Sequence, residues 1–399
     1  MTAGGKAWPE TGQYEAPPVF TATQVLPPDL AHSSNYTVDA RVGLENFQYV
    51  FRLQTKWGPF TVKGSDLLRV RAREIAATAK LETVGGTETA VGAAGRTAMR
   101  PVETAKDLVT APGQTISDTV KGVGRIFGSA DASMKATDPH KETILASVTG
   151  GATARRKLAF DLGVDPNTSF PPLGDELKRV ATASAVGETS ANVGLSFVAG
   201  PAGIAISAGG TATQVREMLR DKSAADLEKD GRQTLAAMGI SPETMDAFYA
   251  SPNLSPTDKT VIVEMLETLG NIGGRELFIA GAARAPSIEM GFFYRHQAML
   301  IAAYNKKIAP VRGIVPVGGA PMLETGKGIV SILPVDYLIW SAPIAELAAN
   351  AKREHGGGEL WITGKASPTA TAKLAELGCK LVPTAGAQLG NYPQLAGWN

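Results

Sequence analysis

Thr363-Gly364-Lys365-Ala366-Ser367-Pro368 is the one short stretch of this sequence with a physical argument for chemistry. It joins the carboxyl end of an expected strand, ELWITG, to an expected helix, SPTATAKLAELG. Free amides at a helix N-terminus attract anions, and a glycine and a lysine beside them add to that attraction. Thr363, Gly364, Lys365 and Ser367 are therefore candidate anion- or ligand-binding residues. The competing reading is a well-capped helix, with Ser367 as the cap and Pro368 at the first helical position. Trp340, the last residue of the expected strand KGIVSILPVDYLIW, and Ser341 after it mark the neighbouring strand end where a site in this unit would lie.

Other chemistry is thin. The four histidines, His32, His140, His296 and His355, form no H-x-x-x-H or E-x-x-H pair, so a metal site would need ligands from distant segments. No metal site and no cofactor are expected. Glu289 and His296 share one face of an expected helix, which suits a buried histidine satisfied by a carboxylate. The string GGAPMLETGKG (318–328) fails the spacing of a phosphate loop and reads as a β-hairpin. GLSFVAG (194–200) has the wrong spacing for a nucleophile elbow. No catalytic residue is assigned.

The elements that must hold such a site are clearer. The chain has 399 residues, enough for two or three domains, with 44% apolar residues to build cores. Charged residues are only 19%, and 44 Gly and 25 Pro lean the composition towards small, uncharged side chains. A net charge of +1 gives no electrostatic case for nucleic acid, and Arg69, Arg71 and Arg73 read as a solvated helix face. One cysteine, Cys379, excludes an internal disulfide and suits an oxidising compartment.

The pattern implies an α+β, multidomain chain. Residues 1–35 form a Pro-rich extended arm. Residues 36–83 form a β-meander of YTVDARV, NFQYVFRLQTKWG and PFTVKG, turning at Gly43–Asn46 and Gly58–Pro59. A helix capped by Ser65 follows, with Leu68, Ala72, Ile75 and Ala79 on one face. Residues 129–150 are a linker and 151–310 a helical domain, with Ser241-Pro242 and Ser255-Pro256 as helix starts. The helix around SIEMGFFYRHQAMLIAAYNKK is apolar on nearly all sides, hence central. Residues 311–399 alternate strands and helices, a small α/β domain with parallel pairing.

The strings YTV…FQY…FRLQTKWGPFTV…LLRVRAREIAA and PGQTISDTVKGVGRIFG resemble the N-terminal half of an uncharacterised family of exported proteobacterial proteins, over residues 20–128. The resemblance implies export and no particular activity. An extracytoplasmic location, in the periplasm or outer envelope, then requires removal of a signal peptide. The numbered chain begins MTAGGKAWPE with no such signal, and without one a cytoplasmic location follows.

Residues 84–128 carry the strongest periodicity. Val84, Val91, Ala98, Val102, Ala105, Val109, Ile116, Val120, Val123 and Phe127 fall in one stripe at helical spacing. The eleven-residue repeat, headed by Pro101 and Pro112, reads as consecutive short helices showing one apolar edge. Val102, Val109, Ile116, Val120 and Phe127 are its candidate contacts with a membrane surface or a protein partner. Residues 191–209 carry no charge and read as a buried helical hairpin around Gly200-Pro201, with membrane insertion as the alternative.

These features imply a non-enzymatic, envelope-associated structural or interaction protein, adhering through the 84–127 stripe; homo-oligomerisation is compatible with this. Two alternatives stand beside it: an enzyme or ligand-binding protein with a site at the C-terminal strand ends, and a pore former using the 191–209 hairpin. Val109→Asp places a charge in the middle of the stripe and is expected to detach it. Liposome flotation of the full chain then separates its roles. Loss of flotation with an unchanged melt indicates lipid, and loss of the melt indicates an internal contact. A variant that floats and melts like the parent leaves the stripe without a structural role.

Overall fold

The computed structural model describes residues 13–84, 151–185 and 210–390. The stripe residues Val102, Val109, Ile116, Val120 and Phe127, the linker at 129–150 and the apolar hairpin at 191–209 lie outside the described residues. The architecture is α+β: an N-terminal antiparallel sheet with a helix, a helical middle and a C-terminal mixed sheet.

The arm is more structured than its prolines suggest. A two-residue strand Phe20–Thr21 (β1) leads into one-turn helices Ala22–Val25 (α1) and Pro28–Ala31 (α2). Gln24 reaches back to accept the Thr21 N–H at 2.8 Å, and Pro28 starts the second turn where no amide is needed.

The meander forms as its alternation predicts. Tyr36–Val38 (β2) and Arg41–Glu45 (β3) pair antiparallel with the same side of Gln48–Thr55 (β4), and Gly58–Lys63 (β5) pairs with the other. Both turns sit elsewhere than expected. The first falls at Asn46–Phe47, where φ is 49° and 64°, and the second at Lys56–Trp57. Two left-handed residues suit a tight hairpin because their twist matches that of the strands. Gly43 therefore stays inside a strand, opposite Val50.

Helix Ser65–Glu82 (α3) also begins differently. Ser65 is its first residue rather than its cap. The cap comes from the other end of the chain: the Asp336 carboxylate accepts the Ser65 N–H at 3.1 Å and the Tyr49 N–H at 2.8 Å. Leu67, Leu68, Ile75, Ala77 and Leu81 are buried, whereas Ala72 and Ala79 are only half-buried. Arg71 is not solvated; it is buried and paired with Glu74 on the next turn.

The helical middle contains Gly151–Leu162 (α4), Pro171–Ala185 (α5), Gly210–Asp221 (α6), Ala224–Ala237 (α7), Pro242–Ala250 (α8), Pro256–Glu267 (α9), Arg275–Ala283 (α10) and Ile288–Lys307 (α11). Ser223, Ser241, Ser255 and Ser287 each accept a first-turn N–H, which fixes where four of these helices start. Helix α10 lies between two of the helices read from the sequence and was not itself picked out there. Gly274, at φ 79°, sits at its start so close to the next sheet that a Cβ would lie 1.8 Å from the Ile314 carbonyl oxygen. Helix α11 is buried along most of its length and donates from Gln297 Nε2 to the Ile332 carbonyl at 2.8 Å.

The C-terminal sheet has five strands. Val311–Val317 (β6), Ala320–Thr325 (β7) and Gly328–Leu333 (β8) form antiparallel hairpins, as the 318–328 string predicts. Gly358–Ile362 (β10) lies parallel to β8, and Cys379–Val382 (β12) parallel to β10. The expected strand to Trp340 breaks at Pro334 and resumes as Tyr337–Leu338 (β9), parallel to Lys365–Ala366 (β11). Helices Ala342–His355 (α12), Pro368–Glu376 (α13) and the single turn Gly386–Leu389 (α14) complete the unit. One hydrophobic cluster runs from Ala22 through Leu177 and Ile301 to Leu389, so the modules share a core.

Asp336 ties the first module to the last. Asp336→Ala leaves two amides without their acceptor, at about 1–3 kcal/mol each, offset in part by removing a buried carboxylate. A net loss of roughly 2–4 kcal/mol is expected in urea denaturation, with Asp336→Asn less affected because one acceptor oxygen survives. An Asp336→Ala chain as stable as the parent would show that the modules are joined elsewhere.

Candidate functional site

Strands β8 and β10 end side by side at Leu333 and Ile362, and the loops leaving them stack closely. Thr363 Oγ1 donates to the Val335 carbonyl at 3.0 Å, the Gly364 N–H to the same oxygen at 2.8 Å, and the Lys365 N–H to the Asp336 carbonyl at 2.9 Å. Only glycine fits at 364, because a Cβ there would lie 1.9 Å from the Asp336 carbonyl oxygen. The two loops then deliver β9 and β11 to the starts of α12 and α13, so both helix N-termini open at the carboxyl end of the parallel strands.

A carboxylate from the N-terminal arm occupies that opening. Glu15 Oε2 accepts the Trp340 N–H at 2.5 Å and the Ser367 hydroxyl at 2.6 Å. The Glu15 N–H donates in turn to the Trp340 carbonyl at 2.9 Å. Ser367 also caps α13, accepting the Ala370 N–H at 3.0 Å. Ser367 is thus the helix cap and at the same time donates to the Glu15 carboxylate. Of the other candidates, Thr363 and Gly364 shape the loop and the Lys365 side chain is exposed, none of them hydrogen-bonding the carboxylate. Glu15 itself was not legible, since an isolated acidic residue before Pro17-Pro18 carries no local signal. Beyond it, the Phe20 ring meets Tyr49 at 5.2 Å and Tyr337 at 5.1 Å, pinning the arm across both sheets.

Behind the opening lies a buried charged joint. Burial holds the Asp336 carboxyl above its ordinary range, against the hydrogen bonds from Tyr49 and Ser65 that favour its anion. Asp66, on the first turn of α3, is pushed up to about 7 by burial and then by the Asp336 charge, with Arg69 opposing. Its Oδ2 lies 3.2 Å from Nδ1 of His296. The carboxylate beside His296 is therefore Asp66 of another module, not Glu289 of the same helix. Burial, reinforced by neighbouring Arg295, holds His296 well below its ordinary value.

A second buried cluster joins α3, the loop after α4, α9 and α11. Arg295 pairs with Asp258 at 3.0 Å and Asp165 at 3.5 Å. Thr257 donates to Asp165 at 2.6 Å, and Arg71 donates to Ser169 at 3.0 Å beside its pair with Glu74. The void here is about 30 Å³, on the scale of one water molecule. Such a cluster fastens helices and has no room for a substrate.

The chain matches no protein-family model, no curated protein and no solved structure. Among the described residues no helix is long and apolar enough to cross a membrane, and no histidine, cysteine or carboxylate group is arranged to hold a metal ion.

The Asp66–His296 pair has a testable proton balance. Near pH 5 the folded pair holds one proton, on Asp66, and the unfolded chain also holds one, on histidine, so the pair adds no slope to stability. Asp66→Asn leaves folded His296 neutral while the unfolded side chain still protonates below its ordinary 6.5. Relative to the parent, the variant is expected to lose stability as pH falls through that value, by up to roughly 1.4 kcal/mol per unit. Parallel stability curves from pH 8 to 4.5 would remove this pair from the account.

Proposed function

We propose that this chain is a non-enzymatic interaction protein that captures a carboxylate on an extended peptide at the carboxyl ends of its C-terminal parallel strands. The carrying observation is the arm contact: Glu15 meets a backbone amide and a serine hydroxyl there, and pairs its own backbone with Trp340. This contact has the form of peptide recognition, with main-chain pairing for register and one side chain for specificity. The arm is its resident occupant in cis, and an acidic segment of a partner protein, or of a second copy, is the occupant in trans. An envelope location and the adhesive use of the 84–127 stripe belong to the same proposal. They are supported by the resemblance over residues 20–128 and by the single cysteine.

The test uses the full chain with Glu15→Ala and the free peptide QYEAPP, residues 13–18, in titration calorimetry. The variant is expected to bind the peptide, and the peptide with glutamine in place of its glutamate roughly tenfold more weakly. The parent chain is expected to bind poorly, because its tethered arm competes at an effective concentration of about millimolar. A Glu15→Ala chain that folds but ignores the peptide, or takes both peptides equally, overturns the reading.

A further inference from the structure

We infer that the occupant of the Glu15 crevice is recognised at two fixed points, a carboxylate and an aromatic ring five residues later, joined by a proline spacer. The inference rests on the reading of the crevice proposed above and extends it from one anchor to a sequence class. The partner in trans is a protein that displays E-x-x-P-x-F in an extended segment, the pattern the arm itself carries from Glu15 to Phe20.

The arm's backbone is pinned at both ends of this stretch. At one end the Glu15 N–H donates to the Trp340 carbonyl at 2.9 Å. At the other, Phe20 and Thr21 pair antiparallel with Val42 and Arg41 of β3, and the Ala22 N–H donates to the Ala40 carbonyl at 2.8 Å. Pro17 and Pro18 lie between, with no amide to leave unpaired and φ already held in the extended range. Five residues at about 3.1 Å each make a spacer of roughly 15 Å. A ligand with other spacing seats one anchor and misses the other.

Burial shows which side chains are read. Alternate side chains of an extended chain face opposite ways. Pro18 and Phe20 are half-buried, whereas Val19 between them is 54% exposed. Ala16 and Pro17 are exposed as well. Moving the ring by one residue therefore turns it to solvent.

The walls that meet the ring belong to the joint between the two sheets and not to the arm. Tyr49 is fixed by its N–H on the Asp336 carboxylate, and Tyr337 by its N–H on the Phe47 carbonyl at 3.1 Å. Both rings meet Phe20 near edge-on, at interplanar angles of 74° and 68°. A planar ring gains from two such contacts, and an aliphatic side chain has no counterpart to them.

The test uses the full chain with Glu15→Ala and Phe20→Ala, which empties both anchor points. Titration calorimetry compares QYEAPPVFT, residues 13–21, with QYEAPP and with QYEAPPFVT, which keeps the composition but moves the ring to the outward position. QYEAPPVFT is expected to bind roughly tenfold to a hundredfold tighter than QYEAPP, and QYEAPPFVT no tighter than QYEAPP. Glutamine in place of the glutamate of QYEAPPVFT is expected to weaken it roughly tenfold. If the double variant melts too low to titrate, the Glu15→Ala chain is expected to rank the peptides in the same order, with differences of only a few-fold because its tethered Phe20 competes. Measurable but equal binding of QYEAPPVFT and QYEAPPFVT, or of QYEAPPVFT and QYEAPP, overturns the two-point inference and leaves the carboxylate reading standing. If none of the peptides binds, both fall.

Discussion

The fold depends on one carboxylate being in two places at once. Asp336 leaves the C-terminal sheet where β8 breaks, and its oxygens accept amides from the Tyr49 strand and the first turn of α3. Around it the Phe47 carbonyl accepts the Asp336 and Tyr337 amides, and Gln48 donates to the Pro334 carbonyl at 2.6 Å. A helix N-terminus with no cap of its own, a hairpin tip in left-handed geometry and a broken strand are each poor structures alone. Placed together, each supplies what another lacks. The glycine at 364 is part of the same arrangement, because the loop behind Asp336 leaves no space for a side chain.

Polar groups rather than apolar area set how the modules are oriented. The shared core is built of interchangeable aliphatic and aromatic side chains, which tolerate sliding. Asp336, Asp66 with His296, and Arg295 with Asp165 and Asp258 do not tolerate it, because a displaced partner leaves a buried charge alone. The raised carboxyls Asp66, Glu74, Asp165 and Asp336 record the desolvation this costs. Their contribution is better understood as register than as net stability. A helix such as α11, buried on most sides, has no amphipathic face to orient it and needs such anchors.

What the sequence made legible follows from the range of each signal. Strand alternation, serine caps three residues before their partners, and glycine or proline punctuation act within a few residues. The meander, the helix starts at Ser241 and Ser255 and the parallel C-terminal unit were readable for that reason. The first turn was misplaced because asparagine and phenylalanine took left-handed backbone where glycine was the obvious choice. Arg71, the Asp66 partner of His296 and the Asp336 cap were hidden, since each joins segments that sequence pattern does not relate. The candidate site was half legible. Ser367 and the strand-end geometry could be read from residues 358–376, but the ligand at that site is Glu15, which lies 352 residues away from Ser367.

The donors at the crevice also say which anion it suits. Glu15 is held by one amide and one hydroxyl, both neutral, and among the described residues no lysine or arginine hydrogen-bonds it. Phosphate and sulfate carry more charge over three or more oxygens and are ordinarily gripped by guanidinium or ammonium groups. Two helix N-termini provide partial positive charge matched to a single carboxylate, and less than a dianion requires. Lys365, the one cation in the motif, has an exposed side chain. The stretch read as an anion-binding candidate therefore meets the Glu15 carboxylate through neutral donors alone. The Glu15 and Trp340 main chains also pair, a contact that a free inorganic ion has no means to make.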